Sequence, residues 1–180
     1  AIEMIKSGTN FANDMYLDLP AAWNAFRDAG LKAAVGLAMF DFFDPEQRRE
    51  VQASTEKLLE KYRPGGTEST TATDAMPWGP VFAVLAPYSI YTCSGELLRW
   101  VGRIARESQM VLHIHMSETE YEVSQAIERF GMRPFVYANH LGLLSDRTVT
   151  AHTVWVDPEE VRLMAEAEVT AVHNPISNMK

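Results

Sequence analysis

The stretch VLHIHMSETE (111–120) sets two histidines one residue apart in an apolar run, with Glu118 three residues after the second. On an extended strand, side chains alternate between faces. One face then holds Val111, His113 and His115, and the other Leu112, Ile114 and Met116. A wholly apolar face belongs against covering helices, so both histidines point to the opposite side of the sheet. His115 is nearer the C-terminal end of the strand, and Glu118 follows just past it, close enough to fold back over that end. Two readings compete: a metal ligand beside a proton carrier, or half-buried histidines bonded within a core.

Working outward, similar apolar and β-branched runs occur at 9–16, 32–40, 81–90, 110–116, 148–156 and 169–174. Helical segments with clear start and stop signals lie between them. In DLPAAWNAFRDAG, Pro20 sits in the first turn and Gly30 closes the helix in a left-handed conformation. Asp44 before Pro45 and Ser94 before GELLRWVGRIARESQ read as N-caps. Val123, Ala126, Ile127 and Phe130 align before Gly131, and Asp157 with Glu160 forms a capping box. Strand and helix alternate without a β-meander, which predicts a parallel sheet covered by helices. The polar stretch 63–80 reads as a long loop between a helix and a strand.

An open doubly wound sheet would be favoured by a Gly-rich phosphate loop after an early strand, and "PGG" at 64–66 precedes loop rather than a helix start. The fold expected is therefore α/β, an incomplete (β/α)8 barrel of about six parallel strands with covering helices, since a full barrel takes about 250 residues. Residues 1–180 read as one domain.

Composition narrows the function classes. The net charge of −8 and the single cysteine, Cys93, argue against non-specific binding to nucleic acid or anionic membranes and against a cysteine zinc site. There is no long apolar segment, and the expectation is a soluble cytoplasmic protein.

Two further strands carry histidines. In 149–156 alternation sets His152 with Thr150 and Val154, opposite Ala151, Thr153 and Trp155. His173 ends the last strand before the turn-forming NPISN. Three successive strands thus each bring a histidine toward one rim, where barrel active sites sit. His113, one layer deeper, reads as a hydrogen-bonded core residue. His140 reads as exposed and Asp14 as structural.

The motifs resemble those of the amidohydrolase superfamily, in the branch of methylthioadenosine/S-adenosylhomocysteine deaminases, cytosine deaminase and triazine hydrolases. HIHMSET resembles the fifth-strand motif, TAHTVWVD the sixth, HNPISNMK the seventh, SGTNFANDMY the second and APYSIYTCS the fourth. The resemblance implies a distorted barrel holding one divalent metal, zinc or iron, with His115 as a ligand. It implies Glu118 as the proton shuttle and His152 beside the metal-bound water. Tyr88 stands where the family's fourth strand reads Ala-Pro-His, a substrate-contacting position, which leaves the exact substrate open; His173 and Asn174 are the other expected substrate contacts. The family takes further metal ligands from a His-x-His pair on the first strand and an aspartate on the eighth, and neither has a counterpart here. The chain is therefore expected to be an internal fragment of a deaminase that releases ammonia from an adenine-like or related N-heterocycle by attack of metal-bound hydroxide. The fragment itself is expected to be inactive and to lack part of the metal site. A triazine- or guanine-type hydrolase is the near alternative. A non-catalytic piece that only self-associates through bare sheet edges, as a homo-oligomer, is the distant one.

Overall fold

The structure, a computed structural model, describes residues 1–63, 65–69 and 80–179. The greater part of the polar stretch 63–80, residues 64 and 70–79, lies outside the described residues.

Local chemistry sets the element boundaries. After a short α1 (Ile2–Lys6) and β1 (Phe11–Tyr16), Asp18 caps α2 (Leu19–Ala29), which ends at Gly30 with φ +68°. Following β2 (Lys32–Met39), Asp44 accepts from the Glu46 and Gln47 amides to start α3 (Pro45–Tyr62). Ser94 caps α4 (Gly95–Ser108) after β3 (Val81–Pro87). β4 (Leu112–Met116) leads through Thr119 into α5 (Glu120–Phe130), which stops at Gly131, and α6 (Pro134–His140) follows. β5 is Thr148–His152, the Asp157–Glu160 capping box opens α7 (Pro158–Glu166), and β6 (Thr170–Val172) ends in the single turn α8 (Pro175–Asn178). Two strands end three or more residues before their apolar runs do. The 148–156 run stops at His152 because His152 and Thr153 take φ of +75° and +51°, outside the extended range. The 81–90 run leaves the sheet after Pro87 and rejoins it only at Ser89, paired with His115.

Among the described residues all six strands are parallel and lie in chain order, β1-β2-β3-β4-β5-β6. A doubly wound sheet reverses its strand order at a switch point. This one never reverses, and it curls into an open portion of a (β/α) barrel.

The two faces divide as alternation requires. Ala33, Val35, Val81, Ala83, Leu85, Leu112, Ile114 and Met116 join Trp23, Phe26, Leu97, Leu98 and Phe135 of the helices and loops in one core. Burying each such large side chain stabilises the fold by about 1.5–3 kcal/mol. On the concave face β2 presents small residues: Ala34, Gly36 and Ala38 align with Phe82, Val84 and Ala86 of β3. At Gly36 a β-carbon would stand 2.4 Å from Ala86 Cβ, so only glycine fits the inner surface there. Asp14 aligns with Val35 on the helix side, where burial raises its carboxyl pKa, and it does not line the barrel interior. β1 and β6 are the sheet edges, and all three residues of β6 are exposed. Among the described residues no helix is long and apolar enough to cross a membrane.

Candidate active site

His113 and His115 occupy the concave face of β4, opposite the core-packed Leu112, Ile114 and Met116. The register between β3 and β4 slips by one residue, because Leu85 pairs with Leu112 but Ser89 pairs with His115. The extra residue in β3 lifts Tyr88 to the rim, where its carbonyl accepts two bonds from His115. The backbone amide donates at 3.0 Å and Nδ1 lies at 3.0 Å. A carbonyl only accepts, so the His115 proton sits on Nδ1 and the Nε2 lone pair is left bare. The Tyr88 ring, 37% exposed, lies 4.7 Å from the His115 ring. Burial pulls the His115 pKa below the ordinary histidine value.

Past the strand, the chain turns at Ser117, whose φ is +53°. The Glu122 carboxylate holds this turn from one helical turn onward, accepting from the Ser117 amide at 2.8 Å and the Glu118 amide at 2.8 Å. Burial first, and then the nearby Glu118 and Glu160, push Glu122 up to about 7, while its two amide donors pull the other way. This clamp sets the backbone from which Glu118 reaches back over the strand end.

His152 arrives from β5, but not by the alternation expected. The register aligns Val149 with His113 and Ala151 with His115, so these two residues line the concave face. Thr150 aligns with Ile114 and hydrogen-bonds Thr153 at 2.9 Å, which corrects the expectation that Thr150 and Thr153 lie on opposite faces. Unbroken alternation would send His152 to the helix side with its partner Met116. The left-handed backbone at His152 and Thr153 turns the ring inward instead. Bonds from the Thr153 amide to Met116 O and from the Val154 and Trp155 amides to Ser117 O hold that turn. The His152 ring stacks on His115 at 5.4 Å and 30°, and its Nε2 lies 3.6 Å from Glu118 Oε2. Its Nδ1 is 3.0 Å from Asn178 Nδ2.

The structure therefore brings His115, Glu118, His152 and Tyr88 together. Asn174 is half-buried at the start of α8, and its Oδ1 has no hydrogen-bond partner among the described residues. His173 is exposed beside it, outside the stacked rings, and His140 is exposed as expected. His113 is buried with its pKa lowered to about 4 by burial, yet its Nδ1 lacks the hydrogen-bond partner expected of it. Glu122 and Asn178 escaped the sequence reading. Glu122 stands at the third helical position after Thr119, which looks like an ordinary capping box, and Asn178 looked like part of a turn.

The donor set fits a metal in part. His115 has the form a ligand needs, with one nitrogen protonated onto a carbonyl and the other bare. Among the described residues, however, no group of three or more histidine, cysteine, aspartate or glutamate side chains could hold a metal ion, and a catalytic zinc site takes three protein ligands. Among the described residues the donor set therefore falls short of a complete metal site.

The profile described as the Amidohydrolase family matches residues 1–180. The chain belongs to the amidohydrolase family. It is 38% identical over 180 residues to a 5'-deoxyadenosine deaminase of Methanococcus maripaludis, a match covering 99% of this chain and 40% of that relative. A guanine deaminase from C. acetobutylicum, solved with bound guanine, has the same fold with TM-score 0.84 at 22% identity, over 99% of this chain and 42% of that one. An adenosine deaminase from Xanthomonas campestris, solved with bound zinc, superposes with TM-score 0.79 at 25% identity, over 99% of this chain and 38% of that one. The amidohydrolase chain described here thus spans about 40% of the length of the curated relatives it matches.

Proposed function

We propose that the chain is the middle portion of a metal-dependent deaminase, without the first and eighth barrel strands, acting on an adenine-like nucleoside of the 5'-deoxyadenosine class. The observation that carries this reading is the Glu118 carboxylate, 3.6 Å from Nε2 of His152, whose ring stacks 5.4 Å from that of His115. Family membership and the deaminase relative support it.

His115 would hold a divalent cation, zinc or iron, together with ligands outside this chain. Such a cation lowers the pKa of water from 15.7 to about 7 in the best-tuned sites and so supplies hydroxide near neutral pH. Glu118 takes one proton from the attacking water and passes it to a ring nitrogen of the heterocycle, then takes the second from the resulting hydroxyl and gives it to the amino group, which departs as ammonia. A positioned acid–base group of this kind contributes roughly 10²–10⁴-fold. His152 orients the attacking water and stabilises charge that develops on its oxygen in the tetrahedral intermediate. Tyr88 offers a ring face at the mouth. The unpartnered Oδ1 of Asn174 offers an acceptor for a substrate N–H, and His173 stands at the rim beyond it. With no histidine at position 88, a guanine- or triazine-type substrate is the alternative within the same chemistry. Ammonia release by the full-length protein from 5'-deoxyadenosine, guanine and an amino-triazine decides between them. Turnover of the first supports the reading, and turnover of none of the three contradicts it.

A second inference concerns the isolated chain. Phe11 and Tyr16 on β1 are 45% and 63% exposed, and β6 is bare along its length. Unpaired strand edges recruit other strands. The isolated chain is expected to self-associate, and a clean monomer in dilute-solution sizing would contradict this.

A further inference from the structure

We infer that Asn178 is a positioning residue that fixes His152 as the Nε2–H tautomer, so that the ring presents its hydrogen toward Glu118. The consequence for catalysis rests on the proposed deaminase reading; the tautomer itself does not.

The argument begins with the amide of Asn178. The Asn174 backbone N–H lies 3.3 Å from Asn178 Oδ1 and has only a proton to offer, so the oxygen must face it. The backbone bond from Asn178 N to Asn174 O at 2.9 Å closes the same helical turn and holds the side chain in place. The amide nitrogen is then left to face His152 Nδ1 at 3.0 Å. Both of its hydrogens are donors, so Nδ1 must accept and carries no proton. In the neutral ring the proton falls on Nε2, which faces Glu118 Oε2 at 3.6 Å. The orientation of the Asn178 amide is thus passed through His152 to the carboxylate.

This relay gives the two imidazoles opposite tautomers. His115 is protonated on Nδ1 by its bond to the Tyr88 carbonyl and leaves Nε2 bare, whereas His152 is bare on Nδ1 and protonated on Nε2. One ring offers a lone pair on Nε2 and the other offers a hydrogen. In the proposed reaction His152 then donates to the attacking oxygen or to the carboxylate and does not compete with Glu118 for the water proton.

The test is ¹⁵N–¹H correlation of the histidine rings in the 180-residue chain, with His152 assigned by its loss in His152→Gln. The expected result is a single ring proton on Nε2. In Asn178→Asp the carboxylate only accepts, and the proton is expected to move to Nδ1; in Asn178→Ala both tautomers are expected. In the full-length protein, Asn178→Asp is expected to lower kcat by roughly 10–100-fold, the usual effect of removing a partner that orients a site histidine, with KM little changed. A wild-type His152 ring protonated on Nδ1 or on both nitrogens overturns the proposal, as does a ring unchanged in both variants. These ring measurements need no substrate, so their failure is distinct from failure of the deaminase reading.

Discussion

Oε2 of Glu118 lies 3.6 Å from Nε2 of His152, and neither residue owes that position to its own strand alone. Glu118 hangs from a left-handed turn clamped by Glu122, and His152 leaves β5 through a left-handed backbone stitched to the end of β4. The pair is therefore only as well placed as these supports.

Glu122→Ala strands the amides of Ser117 and Glu118, both of which it satisfies. Each unsatisfied buried group costs about 1–3 kcal/mol. Urea denaturation is expected to show a loss on the order of 3 kcal/mol, and turnover of the full-length protein is expected to fall as Glu118 loses its register.

The same carboxyl makes stability depend on pH. Its folded pKa is raised to about 7 from an ordinary 4.5, chiefly by burial. Between those values the folded chain keeps a proton that the unfolded chain has released. The contribution is fully present below about 4.5 and is lost as pH rises through about 7, with a slope of at most about 1.4 kcal/mol per pH unit. Glu122→Gln cannot titrate, so its stability profile across this window is expected to be flatter than that of the wild type.

Gly36→Ala adds a methyl 2.4 Å from Ala86 Cβ and 3.1 Å from Val84 Cγ2 on the concave face. Overpacking of this kind costs about 1–3 kcal/mol. Gly36→Ala/Ala86→Gly removes the opposing methyl and is expected to recover part of the loss, which a thermal melt of the single and double variants measures.

Glu160 is fully buried and accepts from Arg133 Nε at 2.8 Å, the Phe135 amide at 2.9 Å and the Asp157 amide at 3.2 Å. Glu160→Ala leaves the partly buried guanidinium and two amides without this acceptor. Arg133 keeps Asp157 Oδ2 at 2.9 Å and the Trp155 carbonyl at 2.9 Å, so the two amides carry the cost, and calorimetry of the variant is expected to show a loss on the order of 3 kcal/mol.

What the sequence made legible was local. Alternation in Leu112–Met116 separated a helix-facing side from a histidine side, and the caps at Asp44, Ser94 and Asp157 marked helix starts that the structure keeps. What stayed hidden depends on partners far along the chain. The inward turn of His152 needs the Met116 and Ser117 carbonyls of the neighbouring strand, which no alternation within 148–156 can report. Tyr88 reaches His115 through a one-residue slip between β3 and β4, set by pairing rather than by composition. Glu122 and Asn178 act through backbone amides and a ring nitrogen, and their own neighbours in sequence give no sign of it.

The most direct test of the proposed chemistry is ammonia release by full-length Glu118→Gln, measured together with its metal content. With metal retained, turnover is expected to fall by about 10²–10⁴-fold, because the amide preserves shape but cannot carry the proton. Wild-type turnover in that variant would contradict the assignment of Glu118 and, with it, the account of the site.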